Sequence, residues 1–125
     1  HREVIQMAQS LLILVTKAPY GFEEAFAGLR AGLGMLASGQ VPVSNALLVG
    51  EGTLNAVAAQ KPEAVRMPSN AEAINDLLEF EAKVYVVKED LLHLVGDVPL
   101  LEGVELIDWE RARQVIDEHD MVTTF

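Results

Sequence analysis

Leu11 to Val15 is an unbroken aliphatic run with polar residues on both sides, and it restricts the fold more than any other stretch. Such a run is too short to span a membrane and suits a strand covered on both faces. Pro19 and Gly21 then stop the strand and turn the chain. A helix is expected at once over Phe22 to Ala37, because Phe22, Phe26, Leu29, Leu33 and Leu36 recur at three- and four-residue spacing. Glu23 and Glu24 fall in its first turn, where the helix dipole favours negative charge. Gly28, Gly32 and Gly34 each weaken a helix by roughly 1 kcal/mol relative to Ala. They point either to close approach against a sheet or another subunit, or to a helix held by packing alone. Gly39 is placed to cap it.

The same strand–loop–helix unit repeats downstream. Asn45 to Val49 reads as a second strand, broken by Gly50-Glu51-Gly52. A short helix over Thr53 to Gln60 with Leu54 and Val57 inward ends at Lys61-Pro62. Glu63 to Pro68 is loop, and Ser69 with Glu72 has the spacing of a capping box for a helix to about Glu79. Lys83 to Val87 is the third strand, Glu89 to Val95 a short helix, and Val104 to Ile107 a fourth strand near an edge. Asp108 caps a last helix, Trp109 to Glu118, whose expected buried face is Trp109, Ala112, Val115 and Ile116. Met121 to Phe125 closes as a fifth strand. This alternation predicts one α/β sandwich of three layers, α/β/α, with a mainly parallel five-stranded sheet. Ligands of such sheets bind at the carboxyl ends of the strands. That edge comprises Lys17 to Gly21, Gly50 to Gly52 and Lys88 to Asp90, with Lys17, Tyr20, Gly21, Gly50, Glu51, Val87 and Lys88 as its candidate ligand or partner residues.

Composition narrows the chemistry. The 125 residues suit one domain, assigned to 10–125, with 1–9 as an extension or expression remnant. A net charge of -10 argues against nucleic acid and anionic membrane surfaces as direct partners. The chain has no cysteine, which removes disulfides, thiolate metal sites and a cysteine nucleophile. No segment resembles a membrane helix or a signal peptide, so the expected location is cytoplasmic.

Individual signals for chemistry are sparse. Lys17 to Gly21 before a helix start could cradle an anion, but it lacks the G-x-G-x-x-G and P-loop patterns, and Glu23 and Glu24 oppose an anion. His1, His93 and His119 have no partners at metal-ligand spacing, so no metal or other cofactor is expected. His119, near a helix end, is favoured there by the dipole alone. Glu89-Asp90 and Glu79-Glu81 read as solvated carboxylates, and Thr16 and Ser44 have no neighbouring His to activate them.

Three ordered stretches carry a likeness to a known family. Leu14-Val15-Thr16-Lys17-Ala18-Pro19-Tyr20-Gly21 opens the first. Glu51-Gly52 followed by Gln60-Lys61-Pro62-Glu63-Ala64-Val65 forms the second, and His119-Asp120-Met121-Val122-Thr123-Thr124-Phe125 the third. Together they resemble the DsrE/DsrF/DsrH family, and within it the DsrF and TusC branch. The resemblance implies a flavodoxin- or Rossmann-like fold and a part in persulfide relay, in tRNA thiolation or sulfur oxidation. It also implies trimers or hexamers, built from one chain or with cysteine-bearing DsrE-like and DsrH-like subunits. Carriers of the DsrE type bear a cysteine near the end of the third strand, and Val87 stands at that position here. A persulfide needs a thiolate, so the resemblance implies a non-catalytic subunit or homologue. The glycine-rich first helix and Leu91 to Leu100 are its expected contact surfaces. Two other readings use the same architecture: a small nucleotide- or flavin-binding module, and a hydrolase built on Glu51, Glu89 and Asp90.

Overall fold

A computed structural model describes residues 9–18, 24–58 and 70–125. Five strands form one sheet: β1 Ser10–Val15, β2 Val43–Leu48, β3 Val84–Val87, β4 Glu105–Ile107 and β5 Met121–Thr124. Their spatial order is β4-β3-β2-β1-β5, and every neighbouring pair is parallel. Four α-helices accompany them among the described residues: α1 Glu24–Ala37, α2 Asn70–Glu79, α3 Lys88–Val95 and α4 Trp109–Glu118.

The strand order dictates which face each helix covers. From β1 to β4 every connection steps the same way across the sheet, so right-handed crossovers put α1, α2 and α3 on one face. The return from β4 to β5 runs the opposite way and sends α4 over the other face. The core divides accordingly. Leu11, Ile13, Val15, Ala46, Leu48, Val84 and Val86 pack with Leu29 of α1, Ile74 and Leu77 of α2 and Leu91 of α3. Leu12, Leu47, Tyr85, Val87 and Ile107 pack with Ala112 and Val115 of α4. Alternate residues of each central strand thus serve opposite faces, which is why β1 and β3 read as continuous apolar runs.

The glycines of α1 allow its close approach to the sheet. A Cβ on Gly28 would lie 2.8 Å from the Phe125 ring, and one on Gly32 would lie 3.0 Å from Ile13. The Ser44 hydroxyl donates to the Gly32 carbonyl at 3.0 Å. Gly34 has nothing within 4 Å and owes its place to no such contact.

Four expectations need correction. The second strand begins at Val43, earlier than Asn45, and ends at Leu48. The helix expected over Thr53 to Gln60 is a 3-10 helix, Gly50–Ala56, that starts on the residues expected to break the chain. Val57 makes an antiparallel bridge with Leu100 and packs against the core, as an inward residue should, while Leu54 is only half-buried. Trp109 is not in the core: it is 37% exposed, because the first turn of α4 lies at the rim of the sheet, whereas Ile116 packs against the core with Ala112 and Val115 as expected. The loop 63–68 and the Ser69 cap lie outside the described residues, as do Phe22 and Glu23.

Asp108 does cap α4, accepting the Arg111 backbone N–H at 2.8 Å. Asp108→Ala is expected to lower stability by about 1 kcal/mol, measured by chemical denaturation. Below α4, burial pushes the Tyr85 phenol up, and Glu105 and Glu118 add to this while Arg111 opposes it. Arg111 is itself held protonated by its hydrogen bond to Glu118.

Candidate functional site

The carboxyl ends of the strands converge on one edge, where backbone and side chains lock the loops together. At the end of β1, Thr16 donates from both its N–H and its hydroxyl to the Phe125 carbonyl, each at 2.9 Å. Phe125 N–H in turn donates to Leu14 at 2.8 Å. The end of β2 is joined to β1 by Val49 N–H donating to the Val15 carbonyl at 3.0 Å. Gly52 then presses its backbone so close to Val15 that a Cβ would overlap the Val15 carbonyl oxygen.

Beneath this edge lies a buried polar cluster. Asn55 donates to the carbonyls of Lys17 and Gly52, both at 2.9 Å. Asn70, the first residue of α2, donates to the Asn55 carbonyl oxygen at 2.6 Å. The Asn70 Oδ1 is buried without a partner. The Thr53 hydroxyl donates to Gly50 at 2.7 Å. A backbone without free donors or acceptors would need none of this. Here irregular segments are buried, and side-chain amides replace the missing ladder bonds.

Above it, α3 starts directly from β3. Val87 is the N-cap residue of α3 and is fully buried. Asp90 accepts Gly50 N–H at 2.7 Å on one oxygen and the Trp109 indole N–H at 3.3 Å on the other. Glu89 accepts the Trp109 backbone N–H at 3.2 Å. The two acids therefore tie the ends of β2, β3 and β4 together; Glu89 is exposed as expected, and the reading of Asp90 as a purely solvated carboxylate is corrected. A hydrolytic pair has no geometry here: Glu51 and Glu89 are exposed and both oxygens of Asp90 are engaged. Asp90→Ala strands a backbone and an indole donor, and a loss of about 1–2 kcal/mol is expected. The single tryptophan reports it, with emission shifted to longer wavelength as the indole loosens.

Of the expected edge residues, the structure gathers Lys17, Gly50, Glu51, Val87 and Lys88 at this rim; Tyr20 and Gly21 lie outside the described residues. Lys17, Glu51 and Lys88 are exposed, Gly50 is half-buried and Val87 is sealed. Asn55, Asn70 and Trp109 were not foreseen at this edge; Asp90 was expected there, but not as the side chain that ties the strand ends together. Asn55 and Asn70 carry no local motif, whereas an acid in the first turn of α3 was a visible signal of a role at the helix start. His119 is elsewhere, at the amino ends of the strands. Its Nδ1 donates to Val115 at 2.6 Å while Nε2 accepts from Asn45 at 2.9 Å. Among the described residues no group of three or more His, Cys, Asp or Glu side chains could hold a metal ion.

These features define an open α/β protein with an all-parallel sheet, its loops gathered at the strand carboxyl ends. Residues 9–125 match the profile of the DsrE/DsrF-like family, and the chain belongs to that family. Its fold is similar to that of the crystal structure of the ychN protein from E. coli, with a TM-score of 0.81 and 23% identity over 94% of this chain and 99% of that one. No curated protein matches the sequence. Among the described residues, no helix is long and apolar enough to cross a membrane.

Proposed function

We infer that the chain is a non-catalytic subunit or homologue of a sulfur-relay complex, in the DsrF/TusC branch, serving persulfide transfer in tRNA thiolation or sulfur oxidation. One observation carries the reading: a DsrE/DsrF-like chain without cysteine has Val87, 0% exposed, at the end of β3. Sulfur carriage needs a reachable thiolate. This position offers neither the sulfur nor an opening to it. What remains is a scaffold role, as a homo-oligomer or beside cysteine-bearing DsrE-like and DsrH-like subunits in the cytoplasm.

The rim of Lys17, Gly50, Glu51 and Lys88 is the edge offered to the partner. Leu92, Leu94 and Val95 of α3 support this placement: all three are exposed on a helix of only eight residues, and apolar surface of that density marks contact faces. Isolation of the tagged chain from its native cell is expected to bring down a cysteine-bearing member of the family. Repeated recovery alone, or uptake of sulfane sulfur by the isolated chain, would overturn the reading. Val87→Cys provides a separate check. The new thiol is expected to react with a disulfide reagent on the order of a hundredfold more slowly than in the denatured chain, because it is released only by opening.

A further inference from the structure

β5 ends the sheet on the β1 side, and its outer margin is open. We propose that β5 pairs antiparallel with β5 of a second copy of this chain, across a two-fold axis at Thr123, so that two sheets become one. The pairing involves no sulfur chemistry and is independent of the sulfur-relay reading.

The backbone sets the register. Phe125 turns both its N–H and its carbonyl toward β1, where Leu14 and Thr16 meet them. Along a strand these groups alternate in direction. Met121 and Thr123 therefore also turn theirs toward β1, beside Leu11 and Ile13, while Val122 and Thr124 turn theirs outward. No hydrogen bond to these outward groups occurs among the described residues. In an antiparallel pair, outward residues oppose outward residues. Val122 then meets Thr124 of the second copy, Thr124 meets its Val122, and Thr123 lies opposite itself. Both outward N–H groups and both outward carbonyls of each strand are satisfied in this register, and the contact has the self-complementary form of a two-fold interface.

Charge selects a second copy as the occupant. The chain has a net charge of -10, so two copies approach most easily where acid is absent. Met121, Val122, Thr123 and Thr124 are uncharged and all exposed. The adjacent Asp120 is held back against β1: its carboxylate accepts Gln9 N–H at 2.9 Å, and its own N–H donates to the Ser10 hydroxyl at 3.0 Å. The other edge of the sheet differs. β4 contains exposed Glu105 and is flanked by exposed Glu102 and Asp108. Charge is a common protection of a free edge; β4 has it and β5 does not. Met121 and Val122 also leave apolar surface on both faces of β5, which the second copy would cover. The exposed face of α3 lies toward the far side of the sheet, by β3, so both contacts can be made at once.

The test measures the mass of the full chain by sedimentation equilibrium, and an even multiple of the chain mass is expected. Val122→Pro and Thr124→Pro each remove an outward N–H that β1 does not use, a place where an edge strand tolerates Pro. Each should weaken the pairing about tenfold or more, through loss of two symmetry-related hydrogen bonds. Thr123→Lys and Thr123→Glu keep the backbone intact and set like charges directly opposite each other. Each should halve the mass at concentrations where the parent is paired, with circular dichroism unchanged. Mixing these two variants should restore the parental mass, since opposite charges then face each other; contact through any other surface would not respond in this way. A parent that stays monomeric or odd-numbered up to about 0.5 mM, near the limit of a specific contact, would overturn the proposal, and this is the result expected if β5 instead receives a foreign strand. Variants of unchanged mass, or a mixture that remains at half mass, would overturn it as well.

Discussion

Gly52→Ala is expected to lower stability by on the order of 4 kcal/mol or more, enough to remove most of the soluble folded protein. Gly52 lies where the 3-10 helix crosses the end of β1, and the atom its Cβ would strike is backbone, the Val15 carbonyl oxygen. A side chain could rotate away; this oxygen is fixed by Val49 N–H, which donates to it. Relief would require separating β1 from β2 at their carboxyl ends, with loss of the ladder and of Gly52 N–H to Val49 at 2.8 Å. Gly34→Ala is the matched control. It sits exposed in α1 with open space around it, and the same substitution there should add roughly 0.5–1 kcal/mol. Urea denaturation of both variants reads the contrast directly. A Gly52→Ala protein as stable as the parent would mean that the loop does not cross β1 as described.

Asn55→Leu is expected to have the second-largest effect, about 3–5 kcal/mol, although it replaces a polar side chain by an apolar one of similar size in a buried place. The carbonyls of Lys17 and Gly52 and one N–H of Asn70 would lose their partner together. Each buried group left unsatisfied costs roughly 1–3 kcal/mol, and the three share one cluster, so their costs do not simply add. Burial of the larger apolar side chain returns only part of this. Denaturation midpoint and amide exchange across 50–56 would both register the change. Equal stability would show that the cluster is hydrated and that its amides are not structural.

These two sites also explain where the sequence is legible and where it is not. Leu11 to Val15 and the Val-rich third strand announce themselves because central strands of a parallel sheet are apolar on both faces. The limits of α4 are visible from the Asp108 cap and the spacing of Ala112 and Val115. Gly50-Glu51-Gly52, in contrast, has every local mark of a break. It becomes a 3-10 helix through partners far along the chain, Val15 on one side and Asp90 on the other. Asn55 and Asn70 become a pair only after β2, the 3-10 helix and α2 have packed. Trp109 has the right period for burial, but period says nothing of where a helix overhangs the sheet. The carboxyl-end rim was therefore foreseeable as a place, through strand–loop alternation, while the side chains that hold it in shape were not.

The position of β5 beside β1 has a consequence for how the molecule is assembled. The two strands that meet at that seam come from opposite ends of the described chain, and the Thr16 hydroxyl reaches a carbonyl 109 residues away. Neighbouring strands β1, β2 and β3 can associate with much shorter loops to close, and loop closure is what slows distant pairings. The outer strand at the β1 side is therefore the late arrival in folding, and until it docks, the nascent sheet carries an open, adhesive margin along its most apolar strand.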